Sequence, residues 1–133
     1  MNDFAVDTNI LMYLYDSDNP NKRSTSESLL ASTPSVSAQV VSEFLNVTKR
    51  LQKLHKRDIL EKCTKALRYC KITPTDHNVL DRAMFLLNRY DFQMFDSIIV
   101  AAALESQCQI LYSEDLQHRQ VIDGKLTIIN PFL

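Results

Sequence analysis

Short apolar runs alternate with longer amphipathic stretches along the chain, and this pattern predicts an α/β fold. Five runs have the length of strands and are bounded by polar or turn-forming residues: 3–7, 34–37, 71–73, 108–113 and 126–130. Apolar residues at helical spacing predict helices over about 9–15, 22–32, 38–54, 58–70, 76–88 and 96–106. Strands that alternate with helices favour a short central parallel β-sheet flanked by helices on both faces.

Capping residues and apolar faces refine these helices. Three helices have candidate caps: Ser37 before 38–54, Asp58 for 58–70, and Thr75 or Asp76 for the helix that ends near 88. The inward face of that last helix is predicted to consist of Val79, Leu80, Ala83, Met84 and Leu87. The helix over 96–106 is apolar nearly all round, so we expect it to be buried.

Length and composition indicate one globular domain over residues 1–133. Hydrophobic residues make up 45% and charged residues 23%, proportions that exclude a disordered chain. No apolar run approaches the roughly 18 to 20 residues that span a bilayer, and Asp3 and Asp7 occupy the place of a signal peptide's basic region. We therefore expect a cytoplasmic protein that does not associate with membranes.

The net charge of −1 conceals an uneven distribution. Residues 49–71 carry nine Lys or Arg against two acids, which leaves six basic and fourteen acidic residues for the rest of the chain. Such asymmetry arises when one surface follows a polyanion and another holds cations, or simply from two solvated helix faces. The candidate contacts to such a polyanion are Lys49, Arg50, Lys53, Lys56 and Arg57.

Four acidic residues stand where ligands gather in an α/β fold. Asp7 interrupts the apolar stretch FAVDTNILMYL at the end of the first predicted strand, and Asp115 follows the strand that ends at Ser113. Glu43 lies at the border of an apolar helix face, and Asp96 opens the most apolar helix. Because ligands bind beyond the carboxyl ends of parallel strands, Asp7 and Asp115 would share a crevice if their strands are neighbours.

Taken singly, three of these acids have ordinary explanations: a helix cap for Asp96, a boundary residue for Glu43 and a turn residue for Asp115. Asp7 is harder to explain, because a buried ionised carboxylate must be paired, hydrogen-bonded or bound to a metal. Four acids from separate elements, with no Lys or Arg beside them in sequence, would repel one another. Hard divalent cations usually compensate such a cluster, so the four acids predict a metal site.

Several stretches keep the order of one family's motifs: AVDTNILMYL, SAQVVSEFLNVTKR, MFDSIIVAAALESQC, LYSEDLQH and TIINPF. Together they resemble the PIN-domain ribonucleases, specifically the VapC-type toxins of prokaryotic toxin–antitoxin pairs, over nearly the whole chain. The resemblance implies a metal-dependent endoribonuclease whose acidic metal ligands and catalytic residues are Asp7, Glu43, Asp96 and Asp115, holding one or two Mg²⁺ or Mn²⁺ ions. Asn9 and Ser113 would hold carboxylates or a bound water by hydrogen bonds.

The resemblance also implies partners and products. The substrate would be RNA, contacted along its backbone by the five basic residues named above and cut to a 5′-phosphate and a 3′-hydroxyl. The partners would be a small antitoxin and a second copy of the chain. The apolar residues of the first helices would serve either the core or the face of that homodimer: Leu11, Met12, Leu14 and Tyr15.

Two departures and several alternatives accompany the resemblance. Where the family often has Gly, this chain has Asp91 and Arg119, and we expect Asp91 to adopt a left-handed conformation at the end of a helix. A PIN-like RNA- or protein-binding module without turnover and a housekeeping PIN nuclease without an antitoxin remain open. An aspartate-nucleophile phosphatase is disfavoured, because Asp7 is not the first acid of an Asp-x-Asp pair.

Overall fold

Six strands and six helices make up residues 3–133, the part of the chain that the computed structural model describes. The strands are β1 (Phe4–Val6), β2 (Ser35–Ser37), β3 (Lys71–Thr73), β4 (Ile110–Tyr112), β5 (Val121–Ile122) and β6 (Leu126–Ile129). The helices are α1 (Thr8–Tyr13), α2 (Pro20–Ala31), α3 (Ala38–Gln52), α4 (Lys56–Ala66), α5 (His77–Arg89) and α6 (Met94–Glu105).

The strands form one sheet in the order β3-β2-β1-β4-β6-β5. All neighbouring pairs are parallel except β5 with β6, which form an antiparallel edge. The chain moves outward from β1 to β3 and then returns to β4, so right-handed crossovers place α1 to α4 on one face and α5 and α6 on the other. This confirms the predicted α/β class with a mainly parallel sheet.

The centre of the sheet is the point where the strand order reverses. β1 and β4 are neighbours, with Val6 opposite Tyr112, and the Asp7 N–H donates to the Tyr112 carbonyl over 2.9 Å. The connections that follow these two strands leave in opposite directions, which opens a crevice beyond their carboxyl ends. The two strands that the sequence placed before Asp7 and Asp115 therefore lie side by side.

The core forms where the helices cover this sheet. Val40, Phe44 and Thr48 follow one face of α3 at a spacing of four residues and are fully buried. Nearly every residue of α6 from Ser97 to Leu104 is buried, as its uniform apolar character predicts. Ser37 caps α3 by accepting a 3.1 Å bond from the Val40 N–H, and Asp76 caps α5 through the Val79 N–H.

Helix α5 is rotated relative to its predicted face. Val79, Ala83 and Leu86 are buried, whereas three residues expected to point inward are exposed: Leu80 by 46%, Met84 by 62% and Leu87 by 38%. Helix α5 packs along α6, and the small side chain of Ala83 allows close approach. The rotation leaves an exposed apolar stripe on α5. In and directly after α1, by contrast, Leu11 lies in the core and Met12, Leu14 and Tyr15 pack against it.

Several boundaries also differ from expectation. Helix α4 is capped by the His55 side chain rather than Asp58, α6 begins two residues before Asp96, and β5 was not predicted because it contains only two residues. Asp91 is not left-handed, since α5 ends in an extended Tyr90, but Arg119 is, with φ 71°.

None of the helices within residues 3–133 has the length and apolar character needed to cross a membrane.

Candidate functional site

Asp7 is the most deeply buried carboxylate at the carboxyl edge of the sheet, with only 5% of its surface exposed. It follows β1 and caps α1, and its two oxygens accept 2.7 Å hydrogen bonds from the Thr8 N–H and the Ser113 hydroxyl. Burial raises the pKa of Asp7 to about 6; those two hydrogen bonds oppose the rise, and repulsion from Asp96 and Glu43 adds to it. Asp7 is therefore held ionised at neutral pH at a cost to the fold.

Asn9 connects Asp7 to Asp115. Its side-chain nitrogen lies 3.5 Å from Asp7 Oδ2 and 3.3 Å from Asp115 Oδ2, so the two carboxylates flank one amide group. Its side-chain oxygen accepts a bond from the Glu114 N–H over 3.2 Å. Ser113 completes this connection, because its hydroxyl donates to Asp7 and accepts from the Asp115 N–H. The loops after β1 and β4 are thus joined by hydrogen bonds at the acids.

Glu43 enters from the second turn of α3. Its Oε1 accepts a 3.1 Å bond from the Thr8 hydroxyl, and its Oε2 accepts a 3.0 Å bond from the Gln39 side chain one helical turn earlier. Thr8 follows Asp7 directly, so the first strand and the third helix are tied together beside the buried carboxylate. Glu43 is half-buried, which leaves it accessible from the crevice.

Asp96 lies in the first turn of α6 and is half-buried. Burial is the main cause that raises the pKa of Asp96, followed by repulsion from Glu43 and Asp115. No hydrogen bond to its carboxylate contributes to this shift. The four acids therefore influence one another electrostatically, and we call the space between Asp7, Glu43, Asp96 and Asp115 the acidic crevice.

The donor set of the acidic crevice fits a hard divalent cation. None of the ion pairs formed within residues 3–133 neutralises any of the four carboxylates. Carboxylate oxygens are the ligands that Mg²⁺ and Mn²⁺ prefer. Among the described residues, however, no three acidic, histidine or cysteine side chains already converge closely enough to hold an ion. An ion would therefore have to draw the carboxylates together against their present hydrogen bonds.

The PIN domain family matches residues 4–123 of this chain. The chain belongs to the PIN domain family. Nucleases of this family generally use divalent metal ions. No curated protein matches the sequence significantly.

Solved structures share the fold of this PIN domain. A toxin–antitoxin complex from Klebsiella pneumoniae aligns with a TM-score of 0.71 and 22% identity over 96% of both chains. The Mycobacterium tuberculosis toxin VapC20, which cleaves the sarcin–ricin loop, aligns with a TM-score of 0.67 and 20% identity over 84% of this chain and 89% of that one. VapBC2 from Rickettsia felis, bound to promoter DNA, aligns with a TM-score of 0.71 and 18% identity over 96% of this chain and 98% of that one. At these identities the likeness establishes the fold.

The predicted site residues fall into two groups in this PIN domain. The structure brings Asp7, Asn9, Ser113 and Asp115 into direct hydrogen-bonded contact and places the Glu43 and Asp96 carboxylates within electrostatic reach of them. The predicted RNA contacts lie apart from the acids at the turn between α3 and α4, and all are exposed: Lys49, Arg50, Lys53, Lys56 and Arg57. We call these five residues the basic hairpin end.

The distance between the two groups follows from helix geometry. Arg50 lies seven residues after Glu43 in the same helix, which corresponds to about 10 Å along the axis. Lys53 ends α3 in a left-handed conformation with φ 48°, and Lys56 and Arg57 begin α4. An extended polyanion only a few units long would therefore reach from the acidic crevice to the basic hairpin end.

Thr8 and Gln39 are site residues that were not identified from the sequence. Both hold Glu43, which Gln39 reaches because residues four apart share a helix face. A search for polar residues one turn before Glu43 would have found Gln39, whereas the Thr8 contact joins elements thirty-five positions apart. His118 Nδ1 accepts a 2.9 Å hydrogen bond from the Asn130 N–H.

Proposed function

We propose that this PIN domain is a Mg²⁺- or Mn²⁺-dependent endoribonuclease that hydrolyses RNA phosphodiester bonds and acts as the toxin of a toxin–antitoxin pair. The observation that carries the proposal is the acidic crevice, whose four carboxylates lack cationic partners among the described residues and lie at the point where the strand order reverses. A stable fold has no need of such a cluster, because it costs the protein stability. The activity belongs to one domain, residues 1–133, working in the cytoplasm.

Each acidic residue has a defined part in this proposal. Asp7, Asp96 and Asp115 would hold the metal, and Glu43 would bind it directly or through a water. When bound, the metal lowers the pKa of a coordinated water and offsets negative charge on the scissile phosphate. Asn9 and Ser113 keep Asp7 and Asp115 oriented toward each other. The products would carry a 5′-phosphate and a 3′-hydroxyl.

The basic hairpin end would contact the RNA backbone. Its five side chains are exposed, and none of the ion pairs found within residues 3–133 engages them. Exposed cations free of carboxylate partners are suited to phosphate binding, which releases counterions and supplies affinity without sequence preference.

The similar structure from Klebsiella pneumoniae is a toxin–antitoxin complex, which supports a small antitoxin as the partner of this chain. A groove of about 380 Å³ begins at Asn9 and runs between α1 and α3 past Met12 and Tyr15 to Leu51. An antitoxin segment with apolar side chains for this groove and a basic side chain for the acidic crevice would match both surfaces. For a second copy of the chain, the surface is the exposed stripe of Leu80, Met84 and Leu87 on α5.

Cleavage of total cellular RNA by the purified, antitoxin-free protein tests the proposal. Wild type and Asp96→Asn are compared in Mg²⁺, in Mn²⁺ and in EDTA, with Asp91→Asn as the control because Asp91 is exposed and lies outside the crevice. We expect cleavage at few sites that requires metal, is unaffected by Asp91→Asn and falls at least about 100-fold in Asp96→Asn.

Other outcomes distinguish the alternatives. Folded wild-type protein that binds Mn²⁺ and RNA but cuts nothing would be a binding module, and the nuclease proposal would be wrong. Metal-dependent cleavage by a protein whose gene has no neighbouring antitoxin gene would indicate a housekeeping nuclease.

A further inference from the structure

Glu114 is held by the side chains of Tyr13 and Lys22. The Tyr13 hydroxyl donates to Glu114 Oε1 over 2.6 Å, and the Lys22 ammonium group donates to Oε2 over 2.5 Å. Lys22 also donates to the Tyr13 hydroxyl over 3.2 Å, which closes a triangle of contacts between α1, α2 and the loop after β4. We call these three residues the Glu114 clamp.

The surroundings of the Glu114 clamp make it more rigid than an ordinary surface ion pair. The Lys22 nitrogen lies 4.9 Å from the centre of the Tyr13 ring and 5.5 Å from that of Phe132, and those two rings pack edge to face. The side chains of Lys22 and Glu114 are 35% and 24% exposed. Arg23, the next residue in α2, forms only an exposed pair with Glu27 at 4.0 Å.

The backbone of Glu114 lies within the acidic crevice although its side chain points away from it. Ser113 precedes it and donates to Asp7, Asp115 follows it, and its own N–H donates to Asn9. A shift of Glu114 would therefore move all of these contacts together.

We propose that Lys22 and Tyr13 are positioning residues that hold Glu114, and through it Ser113 and Asp115, in the arrangement that binds the divalent metal. This inference rests on the proposed metal-dependent function. It concerns three side chains that do not themselves touch the ion, so it can fail while that function stands.

The sign of the effect of Lys22 on metal affinity separates positioning from simple electrostatics. Through space, removing the Lys22 cation would strengthen metal binding, whereas removing the Glu114 anion would weaken it. If the clamp positions the loop, both changes weaken metal binding. Tyr13→Phe weakens it as well, although that variant changes no charge.

The experiment is calorimetric titration of Mn²⁺ into the purified full chain, followed by kcat and KM for RNA cleavage. The variants are Lys22→Met, Glu114→Gln, Tyr13→Phe and the double variant Lys22→Met with Glu114→Gln. Arg23→Met is the matched control, because it removes a cation from the adjacent position of the same helix. Lys22→Arg tests rescue, since guanidinium also pairs with carboxylate.

We expect Lys22→Met, Glu114→Gln and Tyr13→Phe each to weaken Mn²⁺ binding about 10-fold. Lys22→Arg and Arg23→Met should bind Mn²⁺ within about twofold of wild type. The double variant should bind Mn²⁺ about as weakly as either single variant, because the residues act as one unit. Loss of activity should appear in kcat at limiting metal and not in KM for RNA.

Other results would distinguish failure of the positioning role from failure of the proposed metal-dependent function. Tighter Mn²⁺ binding by Lys22→Met would mean that Lys22 acts through charge alone, and a raised KM with unchanged Mn²⁺ binding would make it a phosphate contact; either overturns the positioning role. If wild type binds and uses Mn²⁺ but Tyr13→Phe equals it, the clamp alone is wrong. If wild type binds neither Mn²⁺ nor Mg²⁺, the proposed function itself is wrong, and the clamp with it.

Discussion

The acidic crevice and the basic hairpin end carry opposite charges in opposite settings. The acids are buried or half-buried, apart from the exposed Asp115. Asp7 and Glu43 accept hydrogen bonds from neighbouring backbone and side-chain donors. The five basic side chains are exposed. Water screens each basic charge, whereas burial, with repulsion from Asp96 and Glu43, raises the pKa of Asp7 to about 6 although two hydrogen bonds oppose the rise.

This difference determines how each region responds to substitution. An exposed cation contributes a small, additive and salt-dependent share of RNA affinity. In the proposed metal site the four carboxylates would be needed together, and the charge of buried Asp7 is maintained at the expense of stability. We therefore expect all-or-none effects on activity in the acidic crevice, accompanied by gains in stability, and graded effects at the basic hairpin end.

The largest expected effect comes from Asp7→Asn. Because the pKa of Asp7 is raised from 3.8 to about 6 in the folded state, its contribution to stability is fully present below about pH 3.8 and is lost as the pH rises through about 6. In EDTA at pH 7, Asp7→Asn should raise the free energy of unfolding by roughly 1–3 kcal/mol. RNA cleavage should fall at least about 100-fold.

Urea unfolding between pH 3.5 and pH 7.5 measures this gain. The advantage of Asp7→Asn over wild type should vanish at the acid end of the range, and Asp91→Asn should follow wild type throughout. If Asp7→Asn is destabilised at pH 7, the carboxylate is a structural hydrogen-bond acceptor, and the contrast between the two regions breaks down.

An intermediate effect is expected from reversing two charges at the basic hairpin end with Lys56→Glu and Arg57→Glu. Both residues lie in the first turn of α4, where acidic side chains favour the helix, so the fold should remain intact. RNA affinity at low salt should fall about 10-fold, and the slope of its logarithm against the logarithm of salt concentration should decrease by about 1.4. Fluorescence anisotropy with a non-cleaving Asp96→Asn background measures both quantities.

The matched control for this double variant is Arg23→Glu with Lys125→Glu, which reverses two exposed cations elsewhere. Equal losses in the two double variants would mean that net charge, not the basic hairpin end, governs RNA binding.

The smallest expected effect concerns Arg119, an exposed cation four residues after Asp115. Its φ of 71° lies in the left-handed region, where glycine is not strained. Arg119→Gly should therefore stabilise the protein by about 0.5–1 kcal/mol in urea unfolding. RNA affinity should stay within about twofold of wild type, since this cation lies outside the basic hairpin end. A larger loss of affinity would mean that the RNA-binding surface includes Arg119 and reaches the loop that follows β4.

Individual residues show which features of the fold were predicted correctly from the sequence and which were not. Ser37 was identified as a cap correctly and Asp76 was one of two candidates, because a cap bonds to a backbone N–H three residues away and Thr75 differs from Asp76 by one position only. The face of α5 was predicted wrongly at Leu80, Met84 and Leu87, because apolar residues cover more than half of that helix and only its contact with α6 selects a side. The roles proposed for the acids, for Asn9 and Ser113, and for the basic residues stay predictions.

Local residue order was enough to determine the alternation of strands and helices, the burial of α6 and the positions of the four acids along the chain, because each depends on periodicity or on a strand end. Only the tertiary structure decided that β1 and β4 are neighbours and that Asn9 lies between Asp7 and Asp115. It likewise decided that Lys22 and Tyr13 hold Glu114. Such contacts join residues up to 106 positions apart, and packing, not local propensity, brings them together.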